Sequence, residues 1–177
     1  MPHAVLSLPA YGPVALGNLA RAAADAGVEA TRLLFMPPVP RARSLALVQL
    51  ADLFVDSLRF NANYGLVDAL RVGVPAVSCA GQNMASRLGG SILRAAGLGD
   101  LVLDSPAAFV DTVVALGKDA VALRNLRARL AAQRSSAPLF DPQARVREWE
   151  AAWATMVERQ QAGLPPLAFD VPEQAPT

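Results

Sequence analysis

A short polar stretch at residues 59–68, RFNANYGLVD, carries the side chains best suited to binding chemistry in this sequence. Two asparagines and a tyrosine precede a helical pattern, and Asp68 falls one turn inside that pattern. Backbone N–H groups in a helix's first turn bind phosphate, and a carboxylate one turn further in can accept hydrogen bonds from ribose hydroxyls. These features are compatible with a nucleotide site. The alternative, which the pattern by itself favours, is that Asn61 and Asn63 only cap the helix and that Asp68 is a surface charge.

Few other residues could act as nucleophile, base or metal ligand. His3 is the only histidine and Cys79 the only cysteine. Cys79 lies in an apolar run, which favours a buried structural thiol over a nucleophile. We therefore expect no Ser-His or Cys-His pair and no metal site, and the sequence assigns no catalytic residue. Arg41 and Arg87 could stabilise negative charge on a leaving nucleotide, or be surface charges or partners in structural ion pairs.

Five short apolar runs are predicted to position these residues as buried parallel strands, because each run is continuous rather than alternating in polarity. The runs are residues 4–8, 32–36, 53–57, 75–79 and 101–104. Segments with helical periodicity separate them, and Gly27, Gly73 and Gly97 close three of these helices. The predicted fold class is α/β, with a Rossmann-like, doubly wound and mostly parallel sheet of about five strands.

The polar stretch follows the third predicted strand. In open α/β sheets, ligands bind outside the carboxyl ends of the strands, near the point where the strand order reverses. The loop at residues 59–63 is predicted to leave a strand at such an end and to enter a helix near Tyr64. This placement agrees with the phosphate and ribose chemistry of its side chains.

Helices are predicted to follow the last strand. Ser105-Pro106 and Asp141-Pro142 each combine an N-cap residue with proline at the first helical position. The last helix carries an aromatic stripe, defined by Trp149, Trp153 and Met156, which we expect to pack against a neighbouring layer. Residues 1–163 are predicted to form one lobe with its carboxyl-terminal helices, and the proline-rich residues 164–177 a flexible tail.

Composition narrows the classes of partner. Lys and Arg number 16 against 15 Asp and Glu, so charge gives no reason to expect nucleic acid or an anionic membrane as a partner. No apolar run reaches membrane-spanning length and the first ten residues lack a basic signal-peptide region, so we predict a cytoplasmic protein. Charged residues make up only 18% of the chain, which favours apolar surface covered by another domain or subunit.

Four motifs carry a resemblance to a known family: QLAD, LVDALRVGVPAV, ASRLGGS and APLFD, in this order. With them, the sequence resembles the carboxyl-terminal half of the protein O-linked N-acetylglucosamine transferases, including bacterial relatives and the SPINDLY group. The likeness covers most of the chain, approximately residues 4–163. It implies one lobe of a GT-B glycosyltransferase, which binds a nucleotide sugar and transfers the sugar to serine or threonine of a protein.

The resemblance also implies which residues contact the donor. Asp68 would bind the ribose, and residues near the second strand would border the base. The matching segments are Val39, Arg41 and Ser44 at the base; Asn63, Tyr64 and Gly65 at the diphosphate; and Gln82, Asn83 and Met84 at a further loop facing the donor. UDP-N-acetylglucosamine is the implied donor, with GDP-fucose as the alternative from the SPINDLY group. No bound cofactor is implied.

The diphosphate segment departs from the family pattern. Asn63, Tyr64 and Gly65 stand where the family usually has His-Thr-Thr. Two charge-assisted hydrogen bonds, each worth about 1.5 to 3 kcal/mol, are then lost, which predicts donor binding weaker by about a hundredfold or more. Ser44 and Leu47 likewise replace more polar side chains usual around the base.

A second departure is that the sequence is predicted to begin just before the first strand of this lobe. The amino-terminal lobe and the tetratricopeptide repeats of the family have no counterpart in it. We therefore expect a donor-binding lobe that is incomplete for catalysis by itself, with a protein acceptor and a separate amino-terminal lobe or repeat chain as partners. The alternative is a non-catalytic interaction module derived from this fold. A dehydrogenase is disfavoured because no G-x-G-x-x-G follows the first strand.

Overall fold

The computed structural model describes residues 3–171, which form alternating strands and helices followed by a helical carboxyl-terminal part. The strands are β1 (Leu6–Pro9), β2 (Leu33–Met36), β3 (Phe54–Val55), β4 (Ala76–Cys79) and β5 (Val102–Leu103). The helices are α1 (Pro13–Asp25), α2 (Arg41–Val48), α3 (Tyr64–Arg71), α4 (Leu88–Ala95), α5 (Pro106–Lys118), α6 (Ala120–Gln133) and α7 (Pro142–Gln161). Each strand lies within or next to one of the predicted apolar runs.

All strand pairs are parallel, which confirms the predicted α/β class. Strand β1 pairs with β2, with Leu6 opposite Leu33, and β4 pairs with β3 on one side and β5 on the other. The five strands therefore form two hydrogen-bonded groups, β1-β2 and β3-β4-β5. The carboxyl ends of β3 and β4 lie at the same edge, where the loops after them meet.

The hydrophobic core lies around the strand group β3-β4-β5. Strand β4 is buried along its whole length, and leucines of α3, α4 and α6 pack against it and its neighbours. The fully buried leucines are Leu66, Leu70, Leu93, Leu98 and Leu130. By contrast, α1 and α2 contain no buried residue, and β1 is mostly exposed. The packing that stabilises this chain is therefore concentrated around β4.

Helix ends follow the sequence signals. Gly27, Gly73 and Gly97 have φ angles of 73°, 85° and 72°, the left-handed conformation that glycine adopts without steric cost. The side chains of Ser105 and Asp141 accept hydrogen bonds from the N–H groups of Ala108 and Ala144, at 3.2 Å and 2.9 Å. These caps confirm the predicted starts of α5 and α7.

Replacement of the cap at α5 gives a first prediction. We expect Ser105→Ala to lower the free energy of unfolding by about 1 kcal/mol, because the N–H of Ala108 loses its acceptor. Urea denaturation followed by far-UV circular dichroism measures the change. Ser105→Asn, which keeps an acceptor oxygen, is the matched control and should remain close to the parent chain. Equal losses for both variants would contradict the assigned cap.

The prediction that the aromatic stripe packs against a neighbouring layer is wrong for the residues that the structure describes. Trp149, Trp153 and Met156 are 61%, 56% and 53% exposed. The two indole rings contact each other, with centroids 5.9 Å apart. Helix α7 buries only Ala144 and contacts the turn at Pro138–Phe140. Helical periodicity shows that one face is apolar, but it does not show whether this chain supplies the surface that covers it.

After α7 the described chain has no regular structure. Gly163 has a φ of 69°, and the N–H of Leu164 bonds the carbonyl oxygen of Arg159, which closes the helix. Residues 164–171 form no helix or strand, and the rest of the predicted tail, residues 172–177, lies outside the described residues. The boundary at residue 163 stays a prediction. Among the described helices, none has the length and hydropathy needed to cross a membrane.

Candidate functional site

A buried carboxylate organises the loop after β3. Asp56 directly follows that strand and is only 4% exposed. Its Oδ1 accepts hydrogen bonds from the N–H groups of Ser57 and Ala62, at 2.8 Å and 2.7 Å, and its Oδ2 accepts one from Ser78 Oγ at 2.6 Å. Because both ends of the polar loop bond to this carboxylate, Asp56 fixes the path of the chain from β3 into α3.

The environment of Asp56 shifts its pKa in a direction set by burial. Loss of hydration raises the pKa of the Asp56 carboxyl above its ordinary value, and the hydrogen bonds from Ser78, Ala62 and Ser57 partly oppose that rise. Asp56 is buried, and both of its oxygens accept hydrogen bonds from this chain. We infer a structural rather than a catalytic part for it.

Asn61 connects the same loop to α4. Its side chain is fully buried; Nδ2 donates to the carbonyl oxygen of Ser57 at 2.7 Å, and Oδ1 accepts from the N–H of Gly89 at 3.1 Å. Its own N–H donates to the carbonyl oxygen of Ala85 at 2.9 Å, in the loop after β4. Asn61 therefore ties together the two loops at this edge and does not cap α3.

The first turn of α3 faces outward. Asn63, Tyr64 and Gly65 are exposed, with Tyr64 80% exposed, and no side chain caps this helix. The first intrahelical bond joins the N–H of Val67 to the carbonyl oxygen of Asn63, so the three N–H groups before Val67 have no acceptor within the helix. The positive end of the α3 dipole is thus open at the place predicted for the diphosphate.

The Asp68 carboxylate forms an ion pair, and the sequence did not predict which residue would be its partner. Arg41, the first residue of α2, donates from Nη1 and Nη2 to the two carboxylate oxygens of Asp68, at 2.9 Å and 2.7 Å. The Asp68 side chain is 18% exposed and the Arg41 side chain 63%. The structure therefore joins two predicted donor-binding residues in one bidentate pair.

The exposure of Arg41 gives a second prediction. We expect Arg41→Ala to change the free energy of unfolding by less than about 1 kcal/mol, because a solvated ion pair contributes little to stability. Chemical denaturation at low and moderate salt measures it. Arg129→Ala, which removes the ion pair with Asp100, is a matched control with a similarly bidentate partner. A loss several times larger at Arg41 would show that the pair holds α2 against α3.

The loop after β4 has its own internal order. Asn83 Oδ1 accepts from the N–H of Ser86 at 2.9 Å and caps the short 3-10 helix Met84–Ser86, while the N–H of Gly81 bonds the carbonyl oxygen of Ser86 at 2.8 Å. Gln82, Asn83 and Met84 are exposed. The bond from the Asn61 N–H to the carbonyl oxygen of Ala85 places this loop beside the one that enters α3.

Two remaining predicted residues lie near the start of α2. Val39 is half-buried and Ser44 is exposed, one turn after Arg41. Helices α2 and α3 are in contact, so the segments predicted for base, ribose and diphosphate are neighbours. None of the predicted residues lines the two open concavities noted on the described surface, which lie beside Tyr11 and beside Trp149. Contacts between loops, rather than a closed cavity, define the candidate site.

The sequence reasoning missed the buried polar residues beneath the site. Asp56 was included only as part of an apolar run, and Ser78 and Gly89 were not singled out. A β-carbon on Gly89 would lie 2.2 Å from Asp56 Oδ2 and 2.3 Å from Ser78 Oγ, so α4 approaches this network as closely as glycine allows. The sequence signal for this network was Asp56, an acidic residue that directly follows a buried apolar run.

Comparison with known proteins identifies the family of this chain. The model of glycosyl transferase family 41 matches residues 1–149. A UDP-N-acetylglucosamine–peptide N-acetylglucosaminyltransferase of Caenorhabditis elegans is 30% identical over 141 residues, and a probable enzyme of the same name, SEC, of Arabidopsis thaliana is 28% identical over 170 residues. A solved structure of a mutant O-GlcNAc transferase from Thermobaculum terrenum superposes with a TM-score of 0.83 at 33% identity.

The matches differ in how much of each protein they include. They cover 80% of this chain and 12% of the C. elegans protein, and 96% of this chain and 17% of the Arabidopsis protein. The structural match covers 91% of this chain and 32% of the T. terrenum chain. The similarity therefore extends over nearly the whole of this chain and a minor part of each relative.

Proposed function

Because this chain belongs to glycosyl transferase family 41, we propose that it is the nucleotide-sugar-binding lobe of a protein O-glycosyltransferase. The observation that carries the proposal is that Asp68 lies on α3, one turn after its open first turn, and that buried Asp56 and Asn61 hold the loop leading into this helix. The T. terrenum structure supports the GT-B lobe architecture. Transfer of N-acetylglucosamine or a related sugar to serine or threonine is the proposed reaction of the complete enzyme.

We assign the donor contacts by segment. Asp68 accepts hydrogen bonds from the ribose hydroxyls through the lone pairs that Arg41 leaves free, and the N–H groups of Tyr64 and Gly65 bind the diphosphate. Arg41 orients the carboxylate, and its remaining N–H groups face anionic ligand oxygens. These assignments rest on the bidentate pair and on the exposure of the α3 terminus.

The other predicted residues surround this centre. Val39 and Ser44 border the base, while Gln82, Asn83 and Met84 approach the sugar-diphosphate from the neighbouring loop. UDP-N-acetylglucosamine is the proposed donor, since the relatives are named for it. GDP-fucose is the alternative that a titration distinguishes. A protein acceptor and a separate amino-terminal lobe are the proposed partners, because a cleft between two lobes completes a GT-B site.

A non-catalytic interaction module is the second candidate function. It is favoured by the diphosphate segment, where Asn63, Tyr64 and Gly65 offer one hydroxyl and no histidine. It is also favoured by the Arg41–Asp68 pair, which occupies the carboxylate in the free chain. An interaction module would retain the fold but lose nucleotide affinity. A measurement of nucleotide binding therefore distinguishes it from a donor-binding lobe.

Calorimetric titration of the 177-residue chain with UDP, GDP, UDP-N-acetylglucosamine and GDP-fucose tests the proposal. We expect one base to bind, and Asp68→Asn to weaken that binding by about tenfold to a hundredfold, as loss of a charged acceptor costs about 1.5 to 3 kcal/mol. Asp111→Asn, an exposed aspartate on α5, is the matched control and should leave the dissociation constant unchanged.

Two outcomes would reject the assignment. If Asp68→Asn and Asp111→Asn bind equally well, Asp68 does not contact the ligand. If no nucleotide binds at millimolar concentration while circular dichroism shows a folded chain, the interaction module is the better description. Binding recovered on addition of a purified amino-terminal lobe from a relative would return the assignment to a donor lobe completed by a partner.

A further inference from the structure

Asn61 joins the loop that enters α3 to the loop after β4, and within residues 3–171 no other hydrogen bond links these two loops. Its N–H donates to the carbonyl oxygen of Ala85 at 2.9 Å, and its Oδ1 accepts from the N–H of Gly89, at the start of α4, at 3.1 Å. Its Nδ2 donates to the carbonyl oxygen of Ser57, within its own loop, at 2.7 Å. The side chain is fully buried, and both of its polar atoms have partners.

The loop after β4 keeps its shape through bonds of its own. Asn83 Oδ1 accepts from the N–H of Ser86, and the N–H of Gly81 donates to the carbonyl oxygen of Ser86. These bonds lie within the loop, so they do not fix its position relative to α3. The polar contacts that do so are the two bonds that Asn61 makes to Ala85 and Gly89.

Few residues separate Asn61 from the exposed parts of both loops. Asn63 follows two residues later, and Met84 directly precedes Ala85; both are exposed. One residue spans at most about 3.6 Å of chain, so the chain can absorb only a small change. A displacement at Asn61 therefore moves the first turn of α3 relative to residues 82–84.

The surroundings of Asn61 hold this arrangement in place. The next residue, Ala62, donates its N–H to Asp56 Oδ1 at 2.7 Å. A β-carbon on Gly89 would lie 2.2 Å from Asp56 Oδ2, so the start of α4 is already as close to the loop as glycine allows. The separation of the two loops is thus set within the free chain, which lowers the cost of ordering them around a ligand.

We propose that Asn61 is a positioning residue that sets the separation of the two loops, and through it the preference of the site for a nucleotide sugar over the bare nucleoside diphosphate. This inference rests on the proposed donor site. There, α3 and Asp68 hold the diphosphate and the ribose, whereas residues 82–84 approach the end of the donor that carries the sugar. Only the sugar conjugate then contacts both loops.

Calorimetric titration of the 177-residue chain with UDP and UDP-N-acetylglucosamine tests this role; GDP and GDP-fucose replace them if guanine is the base that binds. We expect Asn61→Ala to weaken binding of the sugar conjugate by about tenfold or more and of the bare diphosphate by less than about threefold. The difference arises because displacement of one loop from the other costs affinity only where the ligand spans both.

Two control variants accompany Asn61→Ala. Asn125→Ala, the same change at an exposed asparagine of α6, should alter neither dissociation constant. Ser105→Ala, which loses the cap of α5, should lower stability and keep the parent's ratio of the two dissociation constants. Circular dichroism checks that every variant is folded at the temperature of the titration.

A second measurement uses the parent chain, so that the test does not depend on the folding of Asn61→Ala. Amide hydrogen exchange followed by NMR reports how often the N–H groups of Asn61 and Gly89 open. At saturation, the sugar conjugate should slow both amides by at least about threefold more than the bare diphosphate does, because only the conjugate requires both loops in place.

Each contrary result has a distinct meaning. Equal weakening of both ligands by Asn61→Ala would overturn the proposal, since Asn61 would then support the whole site without setting its preference. Equal slowing of the two amides by both ligands would overturn it in the parent chain. A folded parent that binds none of the four nucleotides would reject the proposed donor site, and the preference assigned to Asn61 with it.

Discussion

Replacement of Asp56 by alanine is expected to lower the free energy of unfolding by about 3 to 5 kcal/mol, the largest effect of any single substitution considered. The N–H groups of Ser57 and Ala62 and the hydroxyl of Ser78 would all lose their acceptor in a buried position. Each unsatisfied buried donor costs about 1 to 3 kcal/mol. Guanidinium denaturation followed by circular dichroism measures the loss.

Asp56→Asn is the matched control, because an amide can keep the backbone donors on its oxygen and donate its NH₂ to Ser78. We expect it to retain most of the stability that alanine loses. Since burial raises the folded-state pKa of Asp56, the native chain holds this proton more tightly than the unfolded chain. The stability that this group contributes is full below the unfolded pKa and is lost as pH rises through the folded pKa.

The comparison of parent and Asp56→Asn therefore has a defined sign. The parent should lose stability relative to the variant as pH rises from the ordinary aspartate pKa of 3.8 upward through the raised folded value. Denaturation of both proteins across this range isolates Asp56 from the other carboxylates. A parent that gains stability relative to the asparagine variant over the same range would show that its hydrogen bonds outweigh burial.

The second large effect is expected at Gly89, where alanine should lower the free energy of unfolding by about 3 kcal/mol. Its β-carbon would lie 2.2 Å from Asp56 Oδ2 and 2.3 Å from Ser78 Oγ, so α4 must move away from the network. That movement lengthens the bond from the Gly89 N–H to Asn61 Oδ1, which is 3.1 Å in the parent. Denaturation midpoints and slopes measure the change.

Gly17→Ala in α1 is the control for Gly89→Ala, because a β-carbon there has no neighbour within 4 Å. Helix propensity predicts a gain of up to about 1 kcal/mol for that substitution. If Gly89→Ala were as well tolerated as Gly17→Ala, α4 would not be held against Asp56 and Ser78 as the structure shows. The two substitutions use the same chemical change and differ only in surroundings.

The substitutions at Asp56 and Gly89 both disturb the hydrogen bonds that hold the loops of the candidate site. Asp56 and Asn61 fix the chain that leads into α3, and Asn61 also bonds the loop after β4. If the donor-lobe proposal is correct, loss of this support also weakens nucleotide binding. A cap variant such as Ser105→Ala, which removes the bond to the N–H of Ala108 and none of the bonds of Asp56 or Asn61, should lose stability without that loss of affinity.

Two regions of this chain expose apolar side chains to solvent. They lie at the edges beside β1 and β3, and along the aromatic stripe of α7. The low charged fraction of the sequence predicts that apolar surface is covered by another domain or subunit, and this stays a prediction.

Much of the fold was readable from local sequence. Continuous apolar runs predicted the strands, and Gly73, Gly97, Ser105 and Asp141 predicted helix ends, because each of these signals depends on a few adjacent residues. The resemblance motifs predicted the family, which the match over residues 1–149 confirms. The segments of the candidate site were also named in advance, although their role as a nucleotide site stays a proposal.

Contacts between distant residues were decided only by the tertiary structure. The pairing of Arg41 with Asp68, 27 residues apart, and the bond from Gly89 to Asn61, 28 residues apart, depend on how α2, α3 and α4 pack. The division of the strands into β1-β2 and β3-β4-β5 likewise depends on which edges meet. Sequence periodicity specifies which face of an element is apolar, whereas the partner of that face follows from long-range packing that no local pattern encodes.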